Sequence, residues 1–142
     1  MRSAIAEAVR ARDAGEVPVG AVVIRAGVIL ARAHNQVELR HDPTAHAERL
    51  ALAEALATTR SDRLSGATLY VTLEPCAQCA GAILLSKVDR VVFGAWDPKA
   101  GMGGSIHDLL RHPSLNHRCE VIAGLLAEEC GGLLQAFFRG LR

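Results

Sequence analysis

The chain has 142 residues, 50% of them hydrophobic and 22% charged, with a formal net charge of +1. That composition fits one globular domain spanning residues 1–142, long enough to bury about two-thirds of its extended surface without disulfide staples, and it excludes a disordered or fibrous chain. The near-zero charge gives no sequence-wide reason to expect a nucleic-acid binder. The longest apolar runs (19–24 and 69–73) fall far short of the ~20 residues of a membrane helix, and the first residues lack an apolar stretch with a cleavage site, so a cytoplasmic protein with no membrane association is expected.

In chain order, Ile5 and Val9 with Ala4, Ala8 and Ala11 carry the spacing of an amphipathic helix over residues 1–13, and Gly15 follows as a stop. Residues 19–25 and 28–33 are rich in β-branched and aliphatic side chains, with Ala26 and Gly27 between them, and read as a hairpin. The polar segment 35–43 ends in Asp42-Pro43 and reads as a loop, after which Thr44 is placed to cap a helix through Leu50, Leu52 and Leu56. Residues 58–66 then read as a connection.

Residues 67–73 form an apolar run of strand length, and Pro75 stands where a helix can begin, with Ala80, Ile83 and Leu84 continuing it. Another buried strand is expected at 90–94. The segment 95–105 holds three glycines and one proline and reads as a loop long enough to be functional. A last strand at 120–123 precedes a helix at 126–138, whose spacing turns one of Phe137 and Phe138 into the core. The order α-β-β-α-β-α-β-β-α, with five strands, predicts an α/β fold with helices on both faces of the sheet.

The four cysteines include one C-x-x-C pair, Cys76 and Cys79, in a chain without secretion signals; such a pair serves metal binding or redox chemistry rather than a disulfide framework. His46 adds an imidazole, and one imidazole with two thiolates suits Zn²⁺. Three protein ligands are typical of a catalytic site that leaves the fourth position to water, although Cys119, Cys130 or another histidine could close the tetrahedron. At the start of a helix both cysteines meet free N–H groups that favour thiolate. Glu48, two residues after His46, would diverge from it by about 200° on a regular helix, so both face one metal only if the motif sits at the helix entry.

The strings His46-Ala47-Glu48 and Pro75-Cys76-Ala77-Gln78-Cys79 carry the zinc-deaminase signature. Together with residues 16–22, 41–48, 68–76 and 90–95, the chain resembles the bacterial tRNA-specific adenosine deaminase family over nearly its whole length. That resemblance implies a cytidine-deaminase-like three-layer α/β/α sandwich on a mixed five-stranded sheet. It also implies a homodimer and hydrolytic conversion of the wobble adenosine to inosine in the anticodon stem-loop of an arginine tRNA. One Zn²⁺ per subunit would be held by His46, Cys76 and Cys79, with Glu48 as proton shuttle, and Asn35, Ala47, Asp97, Lys99 and Phe138 would meet the substrate. Two other readings stay open: a deaminase of a free base or nucleoside such as guanine or cytosine, and a non-catalytic zinc-stabilised RNA-binding module.

Overall fold

The computed structural model describes residues 1–141. Helix α1 (Arg2–Asp13) turns Ala4, Ala8 and Ala11 inward, all fully buried, and ends before Gly15. Strands β1 (Gly20–Arg25) and β2 (Val28–His34) form the expected hairpin, with Ala26 and Gly27 both at positive φ as a tight two-residue turn requires. The chain continues through α2 (Val37–Arg40), α3 (Ala47–Thr59), β3 (Ala67–Leu73), α4 (Ala77–Leu85), β4 (Arg90–Ala95), a 3₁₀ turn (Leu109–Arg111), β5 (Glu120–Ala123) and α5 (Ala127–Gly140).

Three details differ from the sequence-based expectation. The segment 35–43 is not all loop, since it contains the single turn α2. Thr44 does not cap α3: its N–H and hydroxyl both donate to Asp42 Oδ1, at 2.8 and 2.6 Å, so it closes a turn and the helix starts three residues later. Neither Phe137 nor Phe138 is buried; α5 rests on the molecule through Cys130 and Leu134, and the two rings pack edge-to-face on each other.

The five strands form one sheet in the order β2-β1-β3-β4-β5. β1 is antiparallel to both neighbours, whereas β3, β4 and β5 run parallel, so the sheet is mixed. Helices α3 and α4 cover one face. Their Ala47, Ala51, Leu52, Ala55, Ala80 and Ile83 pack on Ala21, Val23, Leu69, Val71, Val91 and Phe93 of the strands in one apolar cluster. Helices α1 and α5 cover the other, completing the three layers of a cytidine-deaminase-like fold. Leu73 and Ala95 are paired at the ends of parallel β3 and β4, so the segments that follow them leave the sheet side by side, at the carboxyl edge where such sheets bind ligands.

Two glycines set the thickness of the second layer. A Cβ on Gly20 would stand 2.0 Å from the Ala4 carbonyl and 2.5 Å from the Ala8 nitrogen, and one on Gly94 would stand 2.4 Å from Cys130 Sγ. α1 and α5 thus lie directly on the strand backbone. Because Gly20 faces helix backbone rather than a movable side chain, Gly20→Ala is expected to lift α1 and destabilise the protein by about 3 kcal/mol. Urea denaturation measures this, and an unchanged midpoint would mean that α1 does not bear on β1.

Candidate active site

His46 and Cys76 occupy equivalent places, each the residue before a helix. His46 precedes α3 with φ −80° and ψ 148°, and Cys76 precedes α4 with φ −77° and ψ 177°. Because His46 is extended rather than helical, the 200° divergence from Glu48 does not arise, and both side chains reach the same cleft. Cys79 lies on the first turn of α4, fully buried.

His46 Nδ1 stands 3.5 Å from Cys76 Sγ and 3.5 Å from Cys79 Sγ, and the three donor atoms all lie within 4.8 Å of one another. Zinc bonds of about 2.1 Å to nitrogen and 2.3 Å to sulfur, meeting at a tetrahedral angle, span about 3.5 Å between the donors. The residues therefore fit zinc in both donor type and spacing. The hydrogen bond from the Cys79 thiol, with the His46 imidazole assisting, draws the Cys76 thiol down to about 3. Sharing that bond with Cys76, and burial, push Cys79 up. One thiolate is thus stabilised locally, while removal of the second proton calls for a cation.

Neither spare cysteine completes a tetrahedron. Cys119 donates to the Val88 carbonyl at 3.2 Å, and Cys130 is the buried residue of α5 that packs against Gly94, on the opposite face of the sheet. Among the described residues no further His, Cys, Asp or Glu joins the three, so a metal there keeps one coordination position for a non-protein ligand.

His46 and Cys76, with Cys79 buried behind them, open into a cleft of about 590 Å³ that is also lined by Glu48, Asn35, Asp97, Phe137 and Phe138. Glu48 is only 4% accessible, and burial pushes its carboxyl up to about 7, near the point where a group both takes and gives a proton at neutral pH. Asn35 Oδ1 accepts the Ala47 N–H at 2.8 Å, and the amide nitrogen has no partner among the described residues. Ala47 itself is fully buried with its N–H engaged. Asp97 Oδ1 accepts the N–H groups of Lys99 and Ala100 at 3.0 and 3.2 Å. Lys99 lines a neighbouring groove with Trp96 and Arg139, and Phe138, 47% exposed, borders both depressions.

Two carboxylates of this cleft escaped the sequence reading. Glu74, 1% exposed, accepts the N–H groups of Gly103 and Ser105 on Oε1, at 3.0 and 2.9 Å. Its Oε2 accepts the Asp97 N–H at 2.8 Å and the Ser105 hydroxyl. The glycine-rich loop is wrapped around this group: a Cβ on Gly101 would fall 2.2 Å from the carboxylate carbon. Glu16 acts likewise on α2, accepting the N–H groups of Glu38 and Leu39 at 3.1 and 2.8 Å. The available signal was a lone acid between an apolar strand and Pro75.

All four groups that Glu74 receives are donors, so an amide of the same shape would set N–H against N–H. Glu74→Gln is expected to cost about 1–3 kcal/mol for each donor left unpaired while zinc content is retained. Urea denaturation with metal analysis checks this, and a wild-type midpoint would mean that the loop does not depend on the carboxylate.

Residues 1–95 match the family model for the cytidine and deoxycytidylate deaminase zinc-binding region. Over its full length the chain is 55% identical to the tRNA-specific adenosine deaminase of Bacillus subtilis (strain 168), of which it covers 88%. It is 46% identical over 142 residues to the tRNA-specific adenosine deaminase of Aquifex aeolicus (strain VF5), covering 93% of that protein. A solved structure from work on A-to-I editing by tRNA:A34 deaminases at the wobble position superposes with a TM-score of 0.91 at 40% identity, covering 94% of this chain and 97% of that one. The guanine deaminase of Nitrosomonas europaea is more distant, with a TM-score of 0.80 at 25% identity, covering 96% of this chain and 80% of that one. Since the matched region holds the imidazole and both thiolates that converge at 3.5 Å, the chain belongs to the zinc-binding cytidine and deoxycytidylate deaminase family.

Proposed function

We propose that this chain hydrolyses the wobble adenosine of a tRNA anticodon to inosine, with an arginine tRNA as substrate. The observation that carries the reading is the 55% full-length identity to a tRNA-specific adenosine deaminase, on a chain whose three metal donors converge at the cleft that buried Glu48 lines. The cleft has room for one extruded base, and bases of an anticodon loop unstack at less cost than those of a duplex. A deaminase of free guanine is the weaker reading, because its structural relative shares 25% identity. A purely structural zinc module would leave a buried, open-facing Glu48 without a task.

His46, Cys76 and Cys79 hold one Zn²⁺ in this reading. Bound zinc supplies a Lewis-acidic position at which water becomes acidic near neutral pH. Glu48 takes one proton of the attacking water and gives it to the ring nitrogen, then carries the second, from the new C6 hydroxyl, to the departing amine, so that adenosine and water yield inosine and ammonia. Asn35 is anchored through its oxygen and offers its amide N–H groups to acceptors on the base edge. Ala47 sits behind it, contributing to the base pocket by fixing Asn35 through its N–H. Asp97 faces the ribose, while Phe138 gives a stacking surface and Lys99 a cation to the flanking nucleotides.

All 142 residues are taken as one deaminase domain, since helices from both ends of the chain pack on the one sheet. A homodimer is supported by the depression formed by Leu84, Leu85, Leu109 and Leu115, in which Leu85 is 79% exposed. No helix among the described residues is long and apolar enough to cross a membrane, and a tRNA substrate favours the cytoplasm.

The direct test is incubation of zinc-loaded protein with an anticodon stem-loop and mass analysis for inosine; consumption of free guanine with an intact stem-loop would overturn the assignment. Glu48→Ala is expected to keep zinc and lose 10²–10⁴-fold in kcat, the order of a general acid–base contribution, whereas Cys76→Ala is expected to lose the metal. Stoichiometric zinc in Cys76→Ala would count against the ligand set.

Asp97 Oδ1 is committed to its own loop, which leaves Oδ2 to accept a ribose 2′-OH. DNA lacks that donor and would leave the charge unpaired at about 1–3 kcal/mol. Asp97→Asn is therefore expected to lower the ratio of RNA to single-stranded DNA deamination about tenfold, and an unchanged ratio would restrict Asp97 to shaping the loop.

A further inference from the structure

Behind α2, on the other side from the zinc cleft, lies a second depression of about 380 Å³ in which Arg10, Arg32, Arg40 and His34 meet Glu7 and Glu54. The two hollows share one thin wall. At the end of β2 the chain gives Asn35 to the cleft and its neighbours His34 and Gln36 to the depression; α2 then gives Val37 and Glu38 to the cleft and Arg40 to the depression.

The charges here are not simply paired off. Glu7, 5% exposed, spends both oxygens within the site: Oε2 stands 2.9 Å from His34 Nδ1, and Oε1 accepts from Arg10 at 3.1 Å. It fixes the imidazole and one guanidinium at the floor. Arg40 Nε donates to Gln36 Oε1 at 2.6 Å, which orients its guanidinium without neutralising it. Arg32 is exposed on the free edge of the sheet, and neither it nor Arg40 forms an ion pair among the described residues. Arg2, Arg12, Arg49, Arg90 and Arg111 face carboxylates. Arg25, Arg60, Arg63, Arg118 and Arg139 form no ion pair among the described residues, like Arg32 and Arg40, but line no hollow with a second arginine next to the cleft. Two guanidiniums without a salt bridge among the described residues therefore border one polar hollow, with Glu54 in its lining and Asp42 near Arg40 offsetting only part of their charge, in a chain whose net charge of +1 leaves little general attraction for a polyanion. Planar guanidinium donors suit phosphate oxygens.

We propose that this depression is a phosphate site for the RNA strand whose base enters the zinc cleft, with Arg32 and Arg40 as the contacts and Arg10 held by Glu7 as their support. The inference rests on the RNA substrate proposed above. A strand that lowers one base past Asn35 continues over α2, and its flanking phosphates then meet Arg40 and Arg32. Local charge at the mouth of the site replaces the sequence-wide basicity that the chain lacks.

The experiment compares the full zinc-loaded protein, the double variant Arg32→Ala/Arg40→Ala and the control Arg63→Ala on an anticodon stem-loop between 50 and 200 mM salt. Arg63 lies beyond the far end of α3, about 20 Å from His46 for a helix of this length. For the double variant we expect KM to rise about fivefold to tenfold at low salt and kcat to stay within about twofold. The slope of log(kcat/KM) against log[salt] should become shallower by about two, one for each phosphate contact removed, while Arg63→Ala follows the wild type. A double variant with wild-type KM and salt slope overturns the phosphate site alone, and so does an equal rise in KM for Arg63→Ala. Absence of inosine with the wild-type protein overturns the RNA substrate itself, and the two failures are thereby told apart.

Discussion

The molecule turns on the meeting of two helix starts. His46 before α3 and Cys76 before α4 come within 3.5 Å only because both helices lie flat on the same face of the sheet, and that closeness depends on small side chains. Ala47, Ala51, Ala55 and Ala80 are fully buried at that contact, where a larger residue would hold the helices apart. The metal donors then need little of their own flexibility, since the backbone has already delivered them. The N–H groups at the start of α4 face the thiolates as well, so packing and electrostatics favour the same arrangement.

Around that point the fold uses buried carboxylates for two unlike purposes. Glu74 and Glu16 fasten backbone, each oxygen taking N–H or O–H donors from a loop or a single helical turn. Glu48 is as deeply buried, but burial is the leading influence on it and raises its pKa to about 7. A carboxyl surrounded by donors is a rivet; one desolvated beside a metal site is a proton carrier. The same residue type thus builds the walls of the cleft and performs the work inside it.

How much was legible in the sequence follows from the range of each interaction. The period of α1, the Ala26-Gly27 turn and the strand at 67–73 are local patterns, and the structure has them within a residue or two. The metal triplet was legible because thiolate and imidazole chemistry narrows the meaning of a short string. Thr44 misled because a good capping residue sits beside Asp42, whose carboxylate captured it first. The two phenylalanines misled because helical spacing gives the side of a helix that is apolar and not what covers it. Glu74 was silent, since its four donors arrive from residues 97–105, and no window of sequence contains both the acid and the reason for it.

The free edge of the sheet has a bearing on how the protein behaves at concentration. β2 offers an unpaired strand to solvent, with Val28 and Ile29 exposed, the kind of border on which further strands assemble into aggregates. Its register is broken where Val23 opposes Ala31 and Ile24 opposes Ile29, so Leu30 bulges out of the ladder, and Arg32 places a charge on the same rim. A second copy laid alongside would meet a bent ladder and an exposed guanidinium that it would have to bury. The border of the sheet stays open to solvent without becoming a template for its own polymerisation.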